Sequence, residues 1–557
     1  MKMQDTVSFA LLREKGKRKR ADMLRRLMSR YNLLWDTLAL GALAGLLRLW
    51  GVGFDLPNLY HRDEARYVSI PLNILKTGDY NPHFFNYPTL FFYLLAAVYV
   101  LYFLAMASRG RLGNLDGLTL PEQVLPGVVG QATMPSQFLV GRGMVAFCGV
   151  LTVLLVYWLG RKAYGRRAGW LAALLLCFSP THIRNSHFVA PDVTMVLISM
   201  ASLAFSYLVM TRGRRQDYVL AGLLAGLAIS TKYNAYAVLI PLLVAHLLQR
   251  EARPVLNADL LEAMLACGIG FFIGTPFSFL DLPAFLNGLA FEVRHYATIG
   301  DPGTEGQNAW LWYSRYLLRT EGFIPLLAVA EGLRRALARE RQVWLFISFP
   351  LALLLLVSSY AVKNDRTALP ILPVLAILAG TCLDRAITYF QVRIGHTTRA
   401  SLAAWLLACA VVLAVLCWPA WQTLQINLRF SQDDVRTRVT YWLEEQLPPG
   451  SRIVGEYYSP LLVNSKHHFS WVDRAIDLPL AWYQENADYV VFVENRYGGF
   501  YLDPQRYPAQ IAAYQAMFAQ FTLVKEFQGG ALGNPCHAML YKVVSPHRVS
   551  DPNGAGP

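Results

Sequence analysis

The chain has 557 residues, 55% hydrophobic and 16% charged, with a formal net charge of +14 and a mean hydropathy of +0.32. Long apolar runs recur along it, the composition of a polytopic membrane protein. The positive charge does not point to nucleic acid, because the basic residues sit in short clusters between apolar runs, the pattern that sets membrane orientation. No phosphate-binding glycine loop and no dinucleotide-binding glycine signature occurs, so nothing in the sequence marks a nucleotide site.

Residues 1–31 are basic, with the run Lys17-Arg18-Lys19-Arg20, and are expected to stay in the cytoplasm. The first apolar run, 32–52, is long enough to remain as a signal anchor. After it comes His61-Arg62-Asp63-Glu64-Ala65-Arg66-Tyr67, two adjacent carboxylates flanked by arginines. Ionisable groups at a membrane are costly to keep and mark a functional-site hypothesis. The segment predicts a short helix that starts near Asp63, is kinked or limited by Pro71 and ends before Gly78. On such a helix Asp63, Arg66 and Tyr67 share one face. A carboxylate at a helix start beside arginines stays ionised and suits a general base. An acidic cap with solvated charges around it accounts for the same residues.

The apolar run 89–107 raises a problem of parity. If it crossed fully, the basic stretch Gly160-Arg161-Lys162-Ala163-Tyr164-Gly165-Arg166-Arg167 would lie outside. It is therefore read as a re-entrant or interfacial element whose polar groups must be buried. The remaining spans are 139–160, 168–185, 193–210, 217–231, 233–248, 258–280, 322–338, 342–361, 367–381 and 402–421. With these, each basic cluster falls on the cytoplasmic side, the amino end inside and the carboxyl end outside. The expected fold class is a polytopic α-helical membrane protein of about eleven spans, its membrane part covering 32–421.

Residues 422–545 read as a separate extracytoplasmic α/β domain. Helices are expected near 432–447 and 507–520, and strands at Arg452–Tyr458, Asp488–Glu494, Thr522–Phe527 and His537–Val543. The Pro/Gly-containing tail 546–557 reads as disordered. Six of the seven cysteines lie in or beside apolar runs, and Cys536 stands alone in the polar region, which excludes a disulfide framework there.

Folded back along this topology, the polar groups gather at one membrane surface. They are Asp63, Glu64 and Asp192, with Arg66, Arg184, Lys232 and Arg366, and His61, His83, His187 and His295. An acid that takes a proton from an attacking hydroxyl, beside cations facing an anionic phosphate leaving group, is what transfer from a phosphate-linked donor requires. Each residue also has a plainer reading. Lys232 would snorkel from a helix end, Arg366 would anchor at the interface, and Asp192 after Pro191 would cap a helix. His187 and His295 would be structural. His61, Asp63, Glu64 and His83 are metal-ligand types without the spacing of a zinc motif. The GxxxG pairs Gly41–Gly45 and Gly222–Gly226 read as helix-packing positions.

The motif Asp63-Glu64-Ala65-Arg66-Tyr67 resembles that of bacterial membrane glycosyltransferases of the GT-C superfamily. More narrowly, it is similar to the dolichyl-phosphate-mannose protein mannosyltransferase and aminoarabinose transferase group (glycosyltransferase families 39 and 83). Asn86-Tyr87-Pro88-Thr89-Leu90 stands where that group has Pro-Pro-Leu or Lys-Pro-Pro. Asp192 matches its second outer acid, Thr231-Lys232 its Thr-Lys, and Asp365-Arg366 with Pro370 and Pro373 its late Arg-Pro-Pro pattern. The resemblance covers residues 30–380. It implies an inverting transfer from a polyprenyl-phosphate-linked monosaccharide to an acceptor hydroxyl on a lipid, glycan or protein, at the extracytoplasmic face of a bacterial inner membrane. It implies catalytic roles for Asp63, Glu64 and Asp192, with Asp63 as base or acceptor-orienting group. Donor phosphate falls to Arg66, Lys232 and Arg366, and acceptor or sugar contacts to Tyr67, His61, His187 and His295. Asn86 departs from the lysine of aminoarabinose transferases and argues against that substrate. The resemblance fixes no cofactor, and a divalent metal stays open because oligosaccharyltransferases of the superfamily bind one with their outer acids.

The competing class is a transporter or lipid flippase, which would couple through intramembrane charges in paired broken helices. No half-to-half similarity is visible, and the charges cluster at outer loops. A third reading, a receptor-like or assembly protein, would place the work in the soluble domain.

Overall fold

The computed structural model describes residues 31–61, 63–111, 134–249, 254, 256–298, 302, 304–394, 398–460, 465–529 and 537–544. The basic segment before residue 31, Arg62, Cys536 and the tail 546–557 lie outside the described residues.

In chain order the first ten α-helices are α1 (Tyr31–Leu49), α2 (Glu64–Thr77), α3 (Leu90–Ala107), α4 (Pro135–Tyr164), α5 (Arg166–Cys177), α6 (Pro180–Asn185), α7 (Pro191–Arg212), α8 (Arg215–Ile229), α9 (Leu239–Leu247) and α10 (Ala258–Gly274). Among the described residues seven helices are long and apolar enough to cross a membrane: α1, α3, α4, α7, Arg341–Ser358, Asp365–Arg393 and Ala400–Arg429. The protein is a multi-pass membrane protein. The other expected spans fall on shorter helices: α5, α8, α9, α10 and Ile324–Leu337, of 9 to 17 residues. A single crossing needs about 20 residues, so the count of about eleven full spans is not reached by length.

By length α3 is a spanning helix, yet its contacts hold it at one end of the bundle. Leu90 N donates to Ser230 O at 3.1 Å, and Tyr99 OH donates to Gln137 O, near the start of α4, at 3.1 Å. A helix crossing squarely would have descended roughly 14 Å between those two residues. Helix α2 is tied to α4 through Glu64 and Arg142. By length and composition α3 is itself a candidate span, unlike the re-entrant or interfacial element expected at 89–107.

Among the described residues several arginines of the basic clusters pair with acids. Asp36 takes Arg166 at 2.7 Å, Glu331 takes Arg334, Arg335 and Arg385 at 2.8–3.0 Å, and Arg167 pairs with Asp384. The GxxxG expectation divides. A Cβ on Gly222 would run into the Ala263 carbonyl, and one on Gly226 into the Cys267 carbonyl, so α8 and α10 touch backbone to backbone. Gly41 meets only Leu154 at 3.9 Å and Gly45 meets nothing within 4 Å, so that pair does not serve close packing.

The polar carboxyl-terminal region folds as a five-stranded mixed sheet in the order β2-β1-β3-β5-β4. Its strands are β1 (Arg452–Glu456), β2 (His468–Val472), β3 (Tyr489–Val493), β4 (Thr522–Phe527) and β5 (Ala538–Lys542). β1 pairs in parallel with β2 and β3, and β5 runs antiparallel to β3 and β4. The four expected strands are present. The sequence pattern omits β2, an edge strand whose alternate residues are half exposed.

Candidate active site

Helix α2 sets the first acid. It runs through Pro71, which therefore does not limit it, to a left-handed Gly78. Asp63 is its N-cap by position, and its carbonyl accepts the first helical bond from Tyr67 N at 3.0 Å. Its carboxylate makes no capping bond. Instead Oδ2 accepts from Arg366 Nη1 at 3.2 Å. Arg366 is presented by a short turn of helix, Asp365–Ala368, which Asn364 caps through Thr367 N at 3.0 Å. The neighbouring Asp365 takes Arg184 at 2.9 Å. Neither Asp63 as a simple cap nor Arg366 as an interfacial anchor describes this pair.

Lys232 and Asp192 form a second pair, Nζ to Oδ1 at 2.6 Å, with both side chains buried. Pro191 starts α7 and places Asp192 in its first turn, while Lys232 ends the α8 turn in an extended conformation. Lys232 does not snorkel, and Asp192 does not cap. The second oxygen of Asp192 is buried without a hydrogen-bond partner, and Arg366 lies within its electrostatic reach.

Two cavities flank these pairs. One, of about 500 Å³, is lined mainly by apolar and aromatic side chains such as Phe271, Phe285, Leu289 and Tyr296, with Lys232 and Glu292 in its wall. The other, of about 440 Å³, is polar and lies where the last long helix meets the sheet domain, between Asp55, His61, Arg184, Arg429 and Asp434. Thr367, next to Arg366, lines the apolar cavity, and His61, two residues before Asp63, lines the polar one. Asp63 and Arg366 themselves are in neither wall.

The remaining expected site residues are placed as follows. Glu64 is fully buried, with both oxygens on Arg142 at 2.8 Å and one also on Val189 N at 3.0 Å. Burial pushes its carboxyl up, but Arg142 more than offsets this and holds it below the usual range. Both its oxygens are engaged and it lines neither cavity, so it braces the loop. His187 is likewise internal, bonded to Ile183 O at 2.9 Å and Trp50 O at 3.0 Å. His61 stacks on Phe188 at 4.4 Å, and burial, with Arg366 near, holds it below the usual histidine range. Tyr67 packs edge-on to Tyr87 at 5.6 Å. Arg66 points outward over Phe84 at 5.3 Å. His295 stacks on Phe291 at 6.1 Å, on the helix Leu282–Thr298 that also carries Glu292. His83 pairs with Asp79 at an exposed turn, away from Asp63. Among the described residues no three His, Cys, Asp or Glu side chains converge as metal ligands.

Three residues at the site escape the sequence pattern. Arg142 is buried within the apolar helix α4, where an isolated arginine is itself a signal. Asp55 and Glu292 carry no such mark, because only folding brings them into the two cavities.

This helical bundle, with acids and cations gathered at one end beneath a carboxyl-terminal α/β domain, has the fold of the GT-C superfamily of membrane glycosyltransferases. Residues 135–278 match the family model for dolichyl-phosphate-mannose-protein mannosyltransferase. Among solved structures the chain is similar to ArnT from Cupriavidus metallidurans bound to undecaprenyl phosphate, at 17% identity and a TM-score of 0.50, over 91% of this chain and 98% of that one. It is similar also to the archaeal oligosaccharyltransferase AglB from Archaeoglobus fulgidus in complex with an inhibitory peptide and a dolichol-phosphate. That likeness has 13% identity and a TM-score of 0.52, over 94% of this chain and 75% of that one. No curated protein matches the sequence.

Proposed function

We propose that this protein transfers a sugar from a polyprenyl-phosphate-linked donor to an acceptor hydroxyl, at the extracytoplasmic face of a bacterial inner membrane and with inversion at the anomeric carbon. The observation that carries the reading is the partly exposed Asp63–Arg366 pair, whose chain neighbours His61 and Thr367 line a polar and an apolar cavity, the latter with the buried Lys232 in its wall. The likeness to structures holding undecaprenyl phosphate and dolichol-phosphate supports the donor class. An apolar cavity ending in cations suits a lipid phosphate, with prenyl units against Phe271 and Phe285 and the phosphate between Lys232 and Arg366.

In the reaction the acceptor oxygen bonds to the anomeric carbon as its bond to the phosphate oxygen breaks. The electron pair leaves on the phosphate, where Arg366 and Lys232 stabilise it. Asp63 engages the acceptor hydroxyl on the opposite face of the sugar. Asp192 holds Lys232, and Glu64 braces the loop that carries Asp63. Tyr67, Arg66 and His295 border the donor side, and His61 the acceptor side. Residues 32–421 form the catalytic part, and residues 422–545 cover it, consistent with Asn495 in the wall of the polar cavity.

The test is sugar transfer from a panel of labelled undecaprenyl-phosphate monosaccharides, hexoses and pentoses, into host membrane extract. Purified wild type should move label to an acceptor and Asp63→Asn should not. Equal transfer by both would remove Asp63 from the mechanism.

A further inference from the structure

Glu292 has no part in the reaction as derived so far. It lies on the helix Leu282–Thr298, which contains no buried residue and lends Phe285, Leu289, Glu292 and Tyr296 to the wall of the apolar cavity. Two contacts fix which way that helix faces. A Cβ on Gly288 would come within 2.6 Å of the Phe85 carbonyl carbon, so the helix lies directly on the chain that leads into Asn86 and Tyr87. Eight residues on, the Tyr296 carbonyl accepts from Ala361 N at 2.7 Å, and its ring packs on Tyr360 at 4.8 Å. Positions 288, 292 and 296 share one face of the helix, so Glu292 is held from both sides in the cavity wall.

Among the described residues its carboxylate makes no hydrogen bond and no ion pair, although Lys232 and Asp63 both lie within its electrostatic reach. Asn234, in the same wall, is only 8% exposed, and its side-chain amide makes no hydrogen bond among the described residues either. Polar groups drawn out of water without partners are costly to keep. A prenyl chain gives them nothing; a ligand that carries hydroxyls supplies what they lack.

We propose that Glu292 and Asn234 bind the sugar of the lipid-linked donor through its hydroxyls, and that they select a polyhydroxylated sugar without negative charge. The inference rests on the glycosyltransferase reading and adds to it which residues read the sugar. A sugar whose phosphate lies at Lys232 and whose anomeric carbon faces Asp63 comes within the range of Glu292, since both residues act on its charge. An ionised carboxylate offers two oxygens with about four acceptor positions and no donor, the complement of adjacent sugar hydroxyls. The carboxylate of a uronic acid would meet it as a like charge, which rejects that donor.

The experiment measures, at pH 8, binding of three lipids to the full chain in detergent, as wild type, Glu292→Gln and Glu292→Asp. The lipids are bare undecaprenyl phosphate, the undecaprenyl-phosphate sugar that wild type transfers best from the labelled panel, and an undecaprenyl-phosphate hexuronate. Burial, with Lys232 opposing and Asp63 adding, raises the Glu292 carboxyl to about 7, so it is ionised at pH 8. Wild type should bind the sugar lipid more tightly than the bare one. Glu292→Gln should lose roughly 10- to 10²-fold of the sugar lipid's affinity, the worth of hydrogen bonds to a charged group, and bind bare undecaprenyl phosphate no more weakly. Glu292→Asp keeps both acceptor oxygens one methylene short and should fall between. The hexuronate should bind wild type more weakly than the uncharged sugar, and Glu292→Gln should narrow that gap. A Glu292→Gln protein that leaves either contrast unchanged overturns the inference, and so does equal loss of all three lipids, which makes Glu292 a support of the wall. Continued transfer by wild type in those cases leaves the glycosyltransferase reading intact. Wild type that transfers from no donor fails the wider reading, and this inference falls with it.

Discussion

Arg366 Nη1 meets Asp63 Oδ2 at 3.2 Å across 303 residues of chain, joining the start of a loop helix to the start of a late membrane helix. Each partner is only partly buried, with side-chain exposures of 25% and 32%. Fully buried structural pairs in this protein look different: Glu64 and Arg142 are exposed by 0% and 1%. A charged pair left accessible beside residues that line two cavities is open to substrate.

For this pair, Asp63→Asn is expected to lower transfer by ~10²-fold or more, the order lost when a reacting hydroxyl is no longer held in position. Arg366→Lys should keep the charge but lose the planar fork that holds phosphate and carboxylate together, leaving an intermediate rate. Steady-state transfer with an undecaprenyl phosphate binding control separates these effects. A large loss of lipid binding in Asp63→Asn would count against a role at the acceptor.

The buried Asp192–Lys232 pair makes a different prediction. Lys232→Met leaves a buried carboxylate without its cation, which costs ~3–5 kcal/mol, whereas removing both charges is far milder. Thermal unfolding in detergent should therefore rank wild type, the Asp192→Asn/Lys232→Met double variant and then Lys232→Met. Additive single and double variants would show that the two side chains are not coupled.

These contrasts show what the sequence reveals and where it stops. Asp63, Asp192, Lys232 and Arg366 are legible because each is a charge at the edge of an apolar run, and such charges are expensive. The bounds of α2 are legible from Gly78. The partners are not legible, because pairing across 303 residues leaves no periodicity. Glu64 looks equivalent to Asp63 in sequence and becomes its opposite in the fold, since a one-residue step, about 100° round the helix, sends it inward onto Arg142. The apolar cavity is spread over several helices, and no local spacing marks Phe271, Phe285, Glu292 and Tyr360 as neighbours. Helix length is legible only coarsely, because apolar runs continue through turns that divide them into shorter helices.

Helix packing supplies a test that does not depend on function. Gly222 and Gly226 have no room for a Cβ against α10, while Gly45 has open space. Gly222→Leu should force α8 and α10 apart and cost ~1–3 kcal/mol or more, as overpacking does. Gly45→Leu should be nearly neutral. Monodispersity and unfolding temperature of the two purified variants check this, and equal behaviour would refute the assigned contact.

The apolar cavity carries a pH dependence of its own. Glu292 lies in its wall near Lys232, and burial raises its carboxyl to about 7, with Lys232 opposing and Asp63 adding to the rise. Below pH 7 the group is neutral and does not compete for the lysine. Above pH 7 it is anionic and repels a lipid phosphate bound at the same cation. By linkage, bound phosphate must raise the Glu292 pKa further, and each unit of that rise weakens binding at high pH by about tenfold. Undecaprenyl phosphate affinity should therefore fall from pH 6 to pH 8 more steeply in wild type than in Glu292→Gln. The variant keeps the phosphate's own ionisation and so subtracts it. Identical slopes in the two proteins would mean that the phosphate does not sit against Glu292, and would move the donor phosphate away from Lys232.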